Sequence, residues 1–264
     1  MIQKGSLILD NRISNFIEAL LGAALEAVDA CKAVKRAIVL EANNLQIGDQ
    51  KIILKPETRL RLLAIGKAAI PMAAGAVEKI GGRFSDGLVI TKSIETDLPL
   101  PFPPKFRILS GGHPIPTEQS IECGQELIRF LERGDEKDVV LTLISGGASA
   151  LVQVPIGGIT LCELQELTRI LQTCGATIEE LNTVRKRLDL IKGGGLIRAI
   201  KGIKVVNLFI SDVKEDRIDL IASGMTLEDP STPGEAMGVL QKYGVISRIP
   251  VAVLDVLQAT NMTK

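Results

Sequence analysis

Three apolar runs in this chain each end in residues that can do chemistry. Residues 61–69 read RLLAIGKAA and close on Gly66 and Lys67. Residues 139–152 read VVLTLISGGASALV, with Gly146 and Gly147 flanked by Ser145 and Ser149. Residues 204–212 read KVVNLFISD and close on Ser211 and Asp212. Val, Leu and Ile without polar interruption suit a strand covered on both faces, as in a parallel sheet. Paired glycines let the backbone turn sharply, so that amide N–H groups point at an anion. Ligands of open parallel sheets bind beyond the carboxyl ends of the strands. Three such ends would bring a lysine, a glycine loop and a carboxylate to one edge. That set suits phosphoryl transfer: the ammonium and the amides spread the charge of a moving phosphate. The carboxylate either holds Mg²⁺ or takes the proton of the attacking hydroxyl.

Each of these residues also has a plainer use. Lys67 could be a solvated first-turn residue, Asp212 a turn cap, and Gly146–Gly147 only a tight turn. His113, the only histidine, is wedged between Gly112 and Pro114, a usual setting for loop packing. Arg185, Lys186 and Arg187 would ordinarily form a solvated helix face. Asn182, Arg185 and Lys192 enter the chemistry only if their face meets the strand ends. No GxxxxGK[ST] loop is present, and Ala68 after Gly66–Lys67 cannot place a hydroxyl on a metal. No GxGxxG follows a strand, so a dinucleotide fingerprint is missing.

The elements that must position these residues follow from pattern. Residues 10–42 read as helical, capped near Asp10 or Asn11, with Phe16, Leu20, Leu21, Leu25 and Val28 on one stripe, and residues 32–40 either continue that helix or start a second one. Residues 43–55 read as a turn and a short strand. Strands at 59–65, 87–91, 106–109, 139–145 and 204–212 alternate with helices at 67–80, 118–133, 161–174 and 178–191. Residues 97–105 carry four prolines and form an extended connection. Two helical patterns, 234–243 and 251–260, finish the chain. The expected fold class is α/β: a three-layer α/β/α sandwich around a Rossmann-like, mostly parallel sheet.

At 264 residues, with 31 basic and 31 acidic side chains, the chain has no global field drawing it to nucleic acid or an anionic membrane. One Tyr and no Trp leave little to stack on bases. Four cysteines without CxxC spacing read as reduced structural thiols. The apolar stretch 16–30 carries Glu18, Glu26 and Asp29, too much charge for a spanning helix, so a cytoplasmic protein is expected.

The motifs IGKAA (65–69), GGHPIP (111–116), SGGASAL (145–151), ELNTVRKRLDLIKGGGL (180–196), SDV (211–213) and IASGMTLEDPST (221–232) occur in this order. Together they resemble the N-terminal domain of the class II glycerate 2-kinases, formerly described as hydroxypyruvate reductases, over about residues 60–245. That resemblance implies ATP-dependent phosphorylation of D-glycerate at its 2-hydroxyl with Mg²⁺, in a cleft between this domain and a second, C-terminal α/β domain. It implies Lys67 on the transferred phosphate, and Asp212 on the glycerate hydroxyl proton or the metal. Ser145, Gly146, Gly147, Ser149 and His113 would bind phosphate or substrate, with Asn182 beside them. Arg185 and Lys192 would hold the glycerate carboxylate, which a guanidinium fork matches well.

The chain departs from the family pattern. Arg187, Asp189 and Gly195 stand where His, Ser and Arg are usual, and Glu215 and Met225 where Gly and Pro are usual. Losing a basic residue at 195 while gaining acids at 189 and 215 makes the pocket less hospitable to phosphate, if those three positions line it. On the resemblance, residues 1–264 form one kinase N-terminal-type domain, with 1–45 a helical segment. Residues 234–264 begin the connection to a C-terminal domain that the chain lacks. An exposed apolar docking patch would favour a homodimer, or a separately encoded C-terminal half. The alternatives are a non-catalytic sugar-acid or nucleotide binder derived from the kinase and, with less support, a hydroxypyruvate reductase.

Overall fold

The structure, a computed structural model, describes residues 11–94, 102–200 and 202–262. Two helices, α1 (Asn11–Ala27) and α2 (Ala30–Ala37), open the chain. Asp29 caps α2, its carboxylate accepting from Lys32 N at 2.7 Å. Of the two expected arrangements over 10–42, the structure has the second helix, which starts at Ala30 and ends at Ala37, short of residue 42. Ile38–Glu41 becomes strand β1, because its backbone pairs with β2 (Asn44–Ile47), which pairs in turn with β3 (Gln50–Ile53). Residues 43–55 thus supply two strands rather than one. The cap expected at Asp10, and residues 95–101 of the proline-rich connection, lie outside the described residues.

The main sheet has five parallel strands: β4 (Leu60–Ile65), β5 (Phe84–Thr91), β6 (Phe106–Ser110), β7 (Val139–Ser145) and β8 (Lys204–Ile210). Their order across the sheet is β6-β5-β4-β7-β8. The chain therefore winds outward from β4 in one direction, then returns to start beside β4 again at β7. The crevice between the ends of β4 and β7 is the topological switch point, where open α/β sheets bind ligands.

Both central strands are buried along their whole length, which is why they read as apolar runs rather than alternating ones. Alternation within β4 divides its side chains between two layers. Leu62 and Ala64 pack with α3 (Ala69–Ile80), Val34 of α2 and the small antiparallel sheet. Leu63 and Ile65 pack with α4 (Glu118–Glu132) and the short helix α5 (Ala148–Leu151). A third apolar cluster joins α6 (Leu161–Thr173), α7 (Ile178–Arg185), α9 (Pro233–Lys242) and α10 (Val251–Met262). A further short helix, α8 (Gly195–Ala199), packs Leu196 into the layer under α4. By contrast α1 holds Phe16, Leu20, Leu21 and Leu25 exposed. Among the described residues, no helix is long and apolar enough to cross a membrane. The four cysteines are free thiols.

The end of β4 opposite Lys67 is pinned by Arg61, only 2% exposed. Its guanidinium donates to Asp86 at 2.8 and 3.1 Å and to Phe130 O at 2.6 Å. Asp138 lies 3.6 Å away, and the Phe130 ring centroid 4.0 Å from the guanidinium carbon. Removing Arg61 leaves the buried Phe130 carbonyl without this donor and Asp86 without its two bonds, while Asp138 keeps Arg59. Arg61→Ala is therefore expected to cost about 3–5 kcal/mol of unfolding free energy, read by urea denaturation. A loss below about 1 kcal/mol, the ceiling for an exposed pair, would show that this cluster does not anchor the strand.

Candidate active site

The switch point is built by two loops tied together through their backbones. After β4 the chain turns at Gly66 (φ 138°), a conformation that favours glycine. A Cβ at Gly66 would lie 2.2 Å from Ser145 Oγ. Lys67 N–H then donates to Gly146 O at 2.9 Å, and Ala68 N–H to Ser145 Oγ at 3.1 Å. Ser145 is 2% exposed, so its hydroxyl serves the β4–α3 turn rather than an open pocket.

On this platform Lys67 Nζ meets Asp212 Oδ2 at 3.1 Å, across 145 residues of chain. The two side chains are 43% and 52% exposed. Asp212 can come this close because residue 146 has no side chain: a Cβ there would sit 2.0 Å from Asp212 Oδ2. Gly147 (φ 90°) leaves room in the same way for His113 Cδ2 and Lys67 Cγ, 2.9 and 3.0 Å from where its Cβ would be. Lys67, His113, the glycine pair and Asp212 thus form one constellation. Partial burial, then the charges of Lys67 and Lys92, pull the His113 imidazole below its ordinary value, and Asp212 offsets this only in part. His113 is neutral at pH 7 and offers a hydrogen bond rather than a charge.

Beside the glycine loop lies a pocket of about 350 Å³, shared by Gly146, Gly147, Ser149, Asn182, Arg185 and Asp212 with the apolar Ile178, Val213, Leu220 and Ile221. Its far wall is α7. Thr177 and Glu180 close a capping box at the start of α7. Glu180 also accepts from Lys242 Nζ at 2.5 Å and Tyr243 OH at 2.7 Å, fastening α7 to α9. With Leu181 and Val184 buried in the helical cluster, Asn182 and Arg185, three apart, turn to the pocket. Arg185 donates from Nη2 to Ser149 O at 3.2 Å. Burial lowers its pKa and Asp189 opposes this; starting so far above 7, it stays a cation.

Lys192 does not reach this pocket. It is 1% exposed, and its ammonium donates to Asp189, to Gln153 Oε1 at 3.2 Å and to Val152 O at 3.4 Å. Burial holds its pKa down at about 8, with Asp189 opposing. Gln153 in turn donates to Ser149 O, so Lys192 supports the loop from behind. The helix expected over 178–191 stops at Arg185 for a related reason. Asp189 accepts from Val154 N and Ile191 N at 3.1 and 3.0 Å, which holds the chain in a turn.

The expectation that the departures at 189, 195 and 215 spoil the pocket is corrected, since none of the three lines it. Asp189 is paired with Lys192. A Cβ at residue 195 would lie 1.9 Å from Leu190 O, so the local backbone requires glycine. Glu215 is exposed, Met225 is core, and Arg187 is held by Asp229 at 2.6 Å and Ser231 Oγ at 3.0 Å. Sequence reasoning missed Ser223 and Gln153. Ser223 precedes Gly224 as Ser145 precedes Gly146, and that repeated Ser-Gly pair was the available signal.

Chemically, the site offers two cations, Lys67 and Arg185, with backbone amides, an imidazole and one carboxylate. Among the described residues no group of three His, Cys, Asp or Glu is placed to hold a metal by itself. Asp212 Oδ1 is off Lys67 and can supply one carboxylate ligand. That fits Mg²⁺ arriving on a nucleotide, which takes one or two carboxylates plus phosphates and waters.

Residues 16–258 match a domain of unknown function, DUF4147. A D-glycerate 2-kinase of Thermotoga maritima is 43% identical over 187 residues, 71% of this chain and 44% of that protein. A glycerate 2-kinase of Pyrococcus horikoshii is 38% identical over 240 residues, 89% of this chain and 51% of that protein. A crystal structure of a Pyrococcus horikoshii protein superposes with a TM-score of 0.83 at 34% identity, over 98% of this chain and 56% of that one. The chain spans about half the length of the relatives it matches.

The α7 cap gives the wall a pH signature. Lys242, the Thr177 N–H and Tyr243 hold Glu180 at about 2, below its ordinary 4.5. This stabilisation is present above pH 4.5 and is lost as pH falls towards 2. Glu180→Gln should lower the thermal midpoint at pH 6, and the two proteins should converge near pH 2. Parallel midpoint curves across that range would show that the carboxylate does not secure α7.

Proposed function

The chain belongs to the DUF4147 family, and from that premise we propose that its pocket transfers the γ-phosphoryl group of ATP to the 2-hydroxyl of D-glycerate. The observation that carries the reading is the Lys67–Asp212 pair, 3.1 Å apart over Gly146 at the switch point. Relatives named as glycerate 2-kinases support the substrate. Lys67 and the glycine-loop amides take the charge of the transferred phosphate, and Asp212 takes the proton of the attacking hydroxyl. Arg185 and Asn182 hold the glycerate carboxylate, while His113 and Ser149 contribute neutral hydrogen bonds. Mg²⁺ bound through Asp212 would neutralise charge on the nucleotide phosphates when present.

A second reading rests on the exposure of the pair. With side chains 43% and 52% exposed, Lys67 and Asp212 stand in water, whereas phosphoryl transfer is favoured in a site that excludes it. As it stands, the constellation is one wall of a cleft that binds glycerate or nucleotide without turnover. A second unit, whether a C-terminal half or another copy, would close it.

An ADP-release assay with D-glycerate, ATP and Mg²⁺, run with and without a polypeptide matching the remainder of the relatives, tests both. Turnover is expected in the closed assembly, falling about 10²–10³-fold in Lys67→Ala or Asp212→Asn, as for loss of one transition-state donor. Variants that keep the parent rate would overturn the assignment. Glycerate binding without turnover in either format would leave the binding reading standing.

A further inference from the structure

Ser223 has no place in the constellation as described, yet the backbone is strained to place it. Ala222, Ser223 and Gly224 follow one another at φ 53°, 54° and 61°. Holding a non-glycine residue in the left-handed region costs on the order of 1–3 kcal/mol. Two in succession require a compensating gain. The Ser223 side chain is wholly buried directly under the pocket, and its Oγ lies 3.0 Å from Asn182 Oδ1 and 2.7 Å from Ser149 Oγ.

Proton counting gives this chain of bonds a direction. The Asn182 carbonyl oxygen can only accept, so the single Ser223 proton is donated to it. The Ser223 oxygen then accepts, and Ser149 must be the donor in the 2.7 Å contact. With its own proton committed, Ser149 Oγ can only accept from anything in the pocket. Asn182 lines the pocket with its oxygen engaged by Ser223, which leaves its NH₂ as the group to donate. The wall therefore has a donor end, Asn182 with Arg185, and an acceptor point at Ser149. A carboxylate fits the donor end, and a hydroxyl of the same molecule fits the acceptor.

We propose that Ser223 is a positioning residue: through the Ser149–Ser223–Asn182 chain it sets the hydrogen-bond polarity that selects a hydroxy acid over an acid lacking the hydroxyl. The inference rests on the glycerate reading for the identity of the ligand, but the relay itself does not. Ser223 touches no substrate, and the nucleotide side of the site, at Lys67 and Gly146, is independent of it.

Ser223→Gly is the informative variant, because glycine relieves the left-handed strain while deleting the hydroxyl. In calorimetric titration it should raise the Kd for D-glycerate about tenfold, the scale of a hydrogen bond to a charged group, while the Kd for ATP stays within about twofold. Equal losses for both ligands, or an unchanged glycerate Kd, would overturn the positioning role. A second arm needs no ligand: the unfolding free energies of Ser149→Ala, Ser223→Gly and the double variant. One connected chain predicts a double loss clearly smaller than the sum of the single losses, and additive losses would remove the relay. If the parent binds no glycerate while the coupling persists, the glycerate reading and the selectivity built on it fail, and the relay stands.

Discussion

The hydrogen bond from Lys67 N–H to the Gly146 carbonyl, 2.9 Å long, joins the two loops that leave the sheet on either side of its switch point. Everything chemical in the molecule is hung from that join. It fixes where α3 begins and therefore where the Lys67 side chain emerges. It also fixes the plane of the Gly146 peptide, over which Asp212 lies. The bond exists because β4 and β7 are parallel neighbours in register from Leu60 opposite Val139 to Ile65 opposite Ile144. Both strands thus end at the same height. A shift of one residue would reverse which face each side chain meets, and the two buried layers on β4 forbid it.

The lysine, the aspartate and the histidine approach one another only because the loop between them has no side chains. The hypothetical Cβ contacts at Gly66, Gly146 and Gly147 fall between 2.0 and 3.0 Å: the first meets Ser145, the second Asp212, and the third His113 and Lys67. The glycine loop is thus first a matter of clearance and second a source of amide donors. Ser145 bears this out. Its hydroxyl closes the Gly66–Ala68 turn, so the conspicuous SGGAS string divides its labour between holding the platform and facing the pocket.

The sequence was informative where local pattern and topology agree. Apolar runs identified the five parallel strands, and residues at their carboxyl ends identified Lys67, Gly146 and Asp212 as neighbours-to-be. What local pattern cannot carry is direction. Lys192 sits in a basic stretch and reads like an anion ligand, but Asp189, three residues earlier, turns it inward to serve Gln153. Ile38–Glu41 reads as more helix because nothing local announces that β2 will pair with it. Ser223 reads as loop filler because its conformation depends on non-local partners: Asn182, 41 residues before it, and Ser149, 74 residues before it.

Two kinds of ion pair matter here, and their surroundings separate their uses. Arg61 with Asp138, and Lys192 with Asp189, are shut away from water. Breaking the Lys192 pair strands a charge in a medium that cannot solvate it, and Asp138 is held by Arg59 as well as Arg61, so both pairs are fixed parts of the frame. Lys67 with Asp212 is half exposed, where an ion pair contributes about 0–1 kcal/mol and water replaces either partner at little cost. A pair that weak does little for the fold. It is instead exchangeable: an arriving phosphate can take the ammonium from the carboxylate and leave Asp212 free to accept a proton or a metal. The same open setting that makes the pair a poor staple makes it a usable site. The frame around it, with Arg61 at one end of β4 and the clamped turn at the other, can remain unchanged while that exchange occurs.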